Sequence, residues 1–197
     1  FHRVKGYGGL RWNFDGLATI GHNAILVDGR GQAYGAAYAG RVEAPAEGDG
    51  WMRLDADGSA CYPGLLTKWR RSLLLVGEEW LIVRDVIACE GERHVEWLMH
   101  PGAGVAACED DGDDTLLNAG DVRVRVVPLL PDRAMGWRVS DVTRRSVYTK
   151  SNTGETERPA IRYRSFAPLQ AAESFEFLFA LQLGGSEGRD CRFEKLE

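Results

Sequence analysis

The stretch Leu73-Leu-Leu-Val-Gly-Glu-Glu-Trp-Leu-Ile-Val83 reads as two apolar strands around a tight turn. Each run is too short for a helix and rich in branched aliphatic residues, and the three residues between them include a glycine, the composition of an antiparallel hairpin loop. Moving outward, the same pattern recurs at 23–28, 69–76, 80–88, 94–100, 122–129, 136–142, 160–166 and 174–183, with Gly, Asp and Asn clusters as punctuation. In Asp121-Val-Arg-Val-Arg-Val-Val127 the valines alternate with Arg123 and Arg125, which gives one packed face and one wet face. Residues 116–117 add a short strand before Gly120, and no segment carries a 3.6-residue apolar stripe with both caps. The expected fold class is therefore all-β: a large two-sheet antiparallel β-sandwich with little helix, since stacking two sheets buries one face of every strand. The polar stretches 41–50 and 150–158 are read as long loops.

The chain has 197 residues, a length for one domain spanning 1–197. Its 44% hydrophobic and 27% charged fractions exclude a disordered or collagen-like chain. A net charge of -5 argues against nucleic acid as a partner, because phosphate binding needs a concentrated positive field. No apolar run reaches the length of a membrane span, so no membrane partner is expected. The chain begins at Phe1 rather than Met and shows no signal-peptide pattern, which suggests a piece of something longer. Cys61, Cys89, Cys108 and Cys191 lack C-x-x-C spacing, and Cys89, inside an apolar run, reads as a small buried hydrophobe.

There is no P-loop, dinucleotide-binding glycine motif, G-x-S-x-G elbow or H-E-x-x-H. Asp55-Ala-Asp-Gly-Ser59 starts like a calcium loop but lacks the distal bidentate Glu, so it reads as a turn. Glu109-Asp-Asp-Gly-Asp-Asp114 packs five acids into six residues and reads as a solvated hairpin loop. Asp85 interrupts an apolar run and must be hydrogen-bonded, paired or at the strand's exposed end, a structural cap or an Arg partner being the expected role. His94 and His100, six residues apart on one strand, share a face at a separation of roughly 20 Å and cannot share a metal without a bend. They read as satisfied strand-end histidines; His2 and His22 complete the four imidazoles of the chain.

The segment Gly21-His-Asn-Ala-Ile-Leu-Val-Asp-Gly-Arg-Gly-Gln32 resembles the H-N-strand-D-G-x-G-Q element of the heparinase II/III-like polysaccharide lyases. The resemblance continues in order through Asp57-Gly-Ser-Ala-Cys-Tyr-Pro63, Trp69-Arg-Arg-Ser-Leu-Leu-Leu-Val76, Glu79-Trp-Leu-Ile-Val-Arg-Asp-Val86 and residues 94–102, about the first half of the chain. It implies a C-terminal β-sandwich that follows an upstream α/α toroid in the complete enzyme. It also implies β-elimination on an acidic polysaccharide or oligosaccharide, and a periplasmic or secreted location. The family's H-x-H-x-D stretch is absent and would fall upstream of the Gly6-Tyr-Gly-Gly9 region. His22 matches a position that resembles a zinc ligand in some members, the other ligands lying in the missing stretch. A hydrogen-bonded strand-start role for His22 stands beside that reading. Asn23, Asp28 and Gln32 belong to the same element, although Asp28-Gly29 also suits any strand exit. Tyr62 and Arg71 match the later segments as packing and ion-pair residues. Tyr7, Trp12, Tyr34 and Tyr38 could stack on sugar faces or pack in a core. No residue is assigned as catalytic or substrate-binding. Two further readings remain open: a sandwich that binds glycan without chemistry, and a purely structural or oligomerisation domain.

Overall fold

In the computed structural model, the described residues are 18–101, 107–112, 114–119, 121–130, 136–144, 147–150, 154–157 and 161–183. The two runs around 77–79 form a long antiparallel hairpin, β5 (Leu66–Val76) against β6 (Trp80–Arg93), with Val76 opposite Trp80 and Leu73 opposite Val83. Around it are β1 (Ile25–Val27), β2 (Arg41–Val42), β3 (Ala46–Gly48), β4 (Trp51–Asp57), β7 (Val95–Met99), β8 (Ala107–Asp111), β9 (Asp114–Ala119) and β10 (Val122–Leu130). The series ends with β11 (Trp137–Arg144), β12 (Val147–Lys150), β13 (Gly154–Glu157), β14 (Ile161–Pro168) and β15 (Ala172–Leu183).

Among the described residues, the larger sheet runs β2-β4-β5-β6-β15-β10-β9-β8, with β3 also beside β4; the smaller runs β1-β7-β14-β11. Every pairing among the described residues is antiparallel, and β12 and β13 form a separate hairpin. The only helical pieces among the described residues are three-residue 3-10 turns at Thr19–Gly21, Ala36–Tyr38 and Ser59–Cys61. The all-β sandwich expected from the sequence is what forms.

Period-two alternation decides which faces meet. From the larger sheet, Val83, Ile87, Phe175, Phe177 and Phe179 point inward; from the smaller, Ile25, Val27, Val95, Trp97 and Phe166 meet them. Trp97 stacks on Phe179 at 4.1 Å, and Phe166 meets the same ring edge-on at 5.0 Å. Each fully buried Phe or Ile contributes about 1.5–3 kcal/mol relative to exposure. A second cluster, Leu26, Leu98 and Tyr163, lies on the other face of the smaller sheet. Val124 packs against the main core beside buried Val126, whereas Val122 at the strand start is exposed.

All eight strand segments expected from the sequence are present, as is a strand at 116–117. The loop assignments need correction. Residues 41–50 contain β2 and β3, and 150–158 contain β13 and the end of β12. These are short segments held by backbone pairing to a neighbour, and β2 and β3 are exposed at every residue, so no apolar alternation marks them.

Candidate functional site

On the inner face of β6, Asp85 is wholly buried, and Arg71 lies directly opposite it on β5. The carboxylate accepts hydrogen bonds from the Trp69 indole (2.9 Å), the Trp97 indole (2.7 Å) and the Arg71 guanidinium, whose Nη2 is 2.7 Å away. Arg71 also lies over both indole rings, 5.4 Å from the centroid of Trp69 and 5.8 Å from that of Trp97. A buried carboxylate persists only where hydrogen bonds and an opposite charge replace its hydration, and here both do so. The partner required for Asp85 is thus Arg71, with two indoles that the sequence did not reveal.

The network reaches the surface through Arg71, whose Nη1 donates to the main-chain carbonyl of Asn23. The Asn23 side-chain oxygen in turn accepts the His100 backbone N–H at 2.6 Å. His22, the preceding residue, is exposed and closes the Thr19–Gly21 turn through its backbone N–H to the Thr19 carbonyl. His100 is half-buried, with its ring tilted on Tyr163 at 5.3 Å. Burial pushes the His100 pKa down; the Ile20 carbonyl opposes that shift and nearby His22 adds to it.

The D-G-x-G-Q element serves the backbone. Asp28 and Gly29 both have positive φ (50° and 71°) and make the two-residue reversal between Val27 and Arg30. The Asp28 carboxylate accepts the His94 backbone N–H at 3.0 Å, which together with Arg93 holds its pKa down. Gly31 is required by proximity: a Cβ there would lie 2.5 Å from the Thr19 hydroxyl oxygen, which accepts the Gln32 backbone N–H at 2.7 Å. The strand-exit reading of Asp28-Gly29 therefore holds, and exposed His94 is a strand-start residue.

Tyr62 is buried; its hydroxyl donates to the Ile25 carbonyl at 2.5 Å and its ring meets Trp69 edge-on. Burial raises its pKa strongly, so it remains a protonated phenol. The expected roles of Tyr62 and Arg71 in packing and ion pairing are those observed. The turn expected at 55–59 needs correction: Asp55–Asp57 are the end of β4, paired to β5, and the chain turns only from Gly58, where Asp57 accepts both the hydroxyl and the backbone N–H of Ser59; Asp55 accepts the Ser72 hydroxyl and pairs with Arg53. The acidic stretch 109–114 is the expected hairpin, but it is also anchored. Arg125 pairs with Asp111 and Asp114, and Arg164 with Asp110.

Sequence reasoning missed Arg164, which is 2% exposed on β14 and forks onto Asp141 while also donating to Thr115 and Asp110. The available signal was an arginine between Tyr163 and Phe166 in an otherwise core-forming strand. Tyr34 and Tyr38 are exposed rather than in the core. Cys61 and Cys89 are buried free thiols. His2, Tyr7, Trp12 and Cys191, and the Cys108 side chain, lie outside the described residues.

For zinc, the His22 imidazole makes no hydrogen bond among the described residues and is open to solvent. No group of three His, Cys, Asp or Glu residues able to hold a metal occurs among the described residues. Among the described residues His22 is thus a single donor where a zinc site needs three or four. No helix among the described residues is long and apolar enough to cross a membrane.

The family model described as heparinase II/III-like, C-terminal, matches residues 4–170. Among solved structures, heparan sulfate lyase HepC from Pedobacter heparinus superposes with a TM-score of 0.59 at 16% identity, over 85% of this chain and 25% of that one. A heparinase III structure gives a TM-score of 0.59 at 14% identity, over 84% of this chain and 24% of that one. The chain spans about a quarter of the length of these structures, and at such identities the likeness is one of fold. No curated protein matches the sequence.

Proposed function

The chain belongs to the heparinase II/III-like C-terminal family, and on that premise we propose that it is the β-sandwich part of a lyase that cleaves uronic-acid-containing glycans by β-elimination. In that reading an upstream α/α toroid supplies the rest of the active site, and the sandwich alone does not turn over substrate. The observation that carries it is the family match over 4–170 together with the exposed His22-Asn23 corner held from beneath by Arg71.

β-Elimination removes the C5 proton of a uronate and breaks the C4–O4 bond, leaving an unsaturated sugar. Because the proton leaves from beside a carboxylate, the site must neutralise growing negative charge and provide a base. Tyr62 is unsuited as that base, since its hydroxyl is buried and committed to a carbonyl. Asp85 and Arg164 are likewise saturated by partners within the sandwich. This supports a base contributed from elsewhere. His22 would be one zinc donor, the others coming from upstream; a bound zinc ion would supply fixed positive charge and tie the two regions together. A periplasmic or secreted location, where polymeric glycans are met, belongs to the same reading.

The test is ultraviolet absorbance of newly formed unsaturated uronate during incubation with heparin, heparan sulfate and alginate. The full-length protein should produce it with at least one glycan and this chain alone with none. Product from the isolated chain would overturn the division of labour, and none from the full-length protein would favour a glycan-binding or structural sandwich. The exposure of Tyr34, Tyr38 and Trp51 specifically favours glycan binding as the second reading.

A further inference from the structure

We propose that Arg71 and Asp85 are positioning residues whose task is to set the orientation of the exposed His22-Asn23 corner, a role that deepens the reading of His22 as a ligand-facing residue. Burying an ion pair is a poor route to stability, because desolvation offsets much of the attraction and apolar replacements of similar volume are often as stable. The pair is nevertheless embedded in the core, with Asp85 wholly buried between two indole N–H donors.

What the pair achieves beyond packing lies in the one guanidinium nitrogen that Asp85 leaves over. Arg71 Nε and Nη2 are taken by the carboxylate, and Nη1 points to the Asn23 carbonyl. A planar guanidinium clamped on one edge cannot swing, so its remaining nitrogen, Nη1, marks a fixed point in space. Asn23 is fastened a second time by its side chain, which accepts the His100 backbone N–H. With the main chain held at Asn23 and His22 N–H bonded to the Thr19 carbonyl, the His22 imidazole leaves the surface from a backbone restrained on both sides. A core charge pair thereby becomes a rigid mount for a surface histidine.

The test is made in the full-length protein with Arg71→Met/Asp85→Leu, which removes the pair while keeping apolar volume, and with the milder Arg71→Lys. A lysine retains the charge beside Asp85 but cannot bond the carboxylate and the Asn23 carbonyl in the same fork geometry. Two quantities are read by mass spectrometry after zinc has been stripped with chelator: backbone deuterium exchange over 18–26, and exchange at C2 of the His22 imidazole. Positioning predicts that exchange over 18–26 rises about tenfold in the double variant and by less in the lysine variant, while β15 keeps its protection. The His22 C2 rate should change in parallel. Wild-type exchange at both places in either folded variant would overturn the proposal; if the double variant does not fold, the lysine variant decides. Because no metal is involved, a separate zinc titration distinguishes failure here from failure of the ligand reading. If His22 binds zinc, the loosened corner should bind it more weakly.

Discussion

Asp85 of the larger sheet accepts a 2.7 Å hydrogen bond from the Trp97 indole of the smaller sheet, so a single carboxylate links the two layers through the middle of the core. The same group holds Trp69 and Arg71 within its own sheet. Removing it leaves a half-buried cation and two indole N–H groups without their acceptor.

Asp85→Ala should therefore cost about 3–5 kcal/mol of folding stability, whereas replacing both partners together, as Arg71→Met/Asp85→Leu, should cost much less than the sum of the single changes. Urea unfolding of the four members of the cycle measures this. Additive losses would show that the pair is not coupled.

Arg164→Leu should cost about 1–3 kcal/mol, less than Asp85→Ala, because the hydrogen bonds lost are charge-assisted but the carboxylates left behind are exposed. The side chains of Asp110 and Asp141 are 70% and 62% exposed and regain water once the guanidinium is gone. Unfolding midpoints of the two variants, compared under one condition, give the order.

Acid should weaken the fold in two separate windows. The pKa of His100 is lowered in the folded state, mainly by burial, so unfolding takes up a proton and stability falls as pH drops below about 6.5. Asp28, Asp55 and Asp57 are also lowered, Asp57 chiefly by the Ser59 hydroxyl. Their contribution is present above the unfolded value of about 3.9 and lost as pH falls through the folded ones. His100→Gln should flatten the first window and leave the second. Denaturant midpoints from pH 8 to 3, values chosen to span both windows, would show one limb disappearing.

Gly31→Ala should destabilise by about 1–3 kcal/mol, since the new methyl group overlaps the Thr19 side chain and breaks its bond to the Gln32 N–H. Thr19→Gly/Gly31→Ala removes both the hydroxyl and the Cβ that the new methyl group would meet, and should recover part of the loss. Equal thermal midpoints for the single and double variants would contradict this account.

His22→Ala should lower the zinc content of the full-length protein without changing its unfolding midpoint in chelator, because the ring is exposed. Metal analysis after dialysis, set beside the melting curve, separates the two effects. Unchanged zinc would remove His22 from the ligand set.

The sequence alone determined the strands that carry the core. Alternation in 122–127 and the apolar runs of β5, β6 and β15 are local properties of the chain, and each specifies a strand with one face to bury. It also determined that Asp85 needed either a partner or an exposed strand end, since an unpaired carboxylate among apolar neighbours is too costly. The tertiary structure decided which partners. Trp69 and Arg71 reach Asp85 through the β5–β6 register, and Trp97 through the stacking of the two sheets. Register and stacking depend on how all the strands assemble, so neither can be read from the residues around Asp85. The edge strands β2 and β3 and the burial of Arg164 were hidden for the same reason: backbone pairing carries no side-chain pattern, and an arginine becomes interior only when Asp110, Asp141 and Thr115 converge on it from other strands.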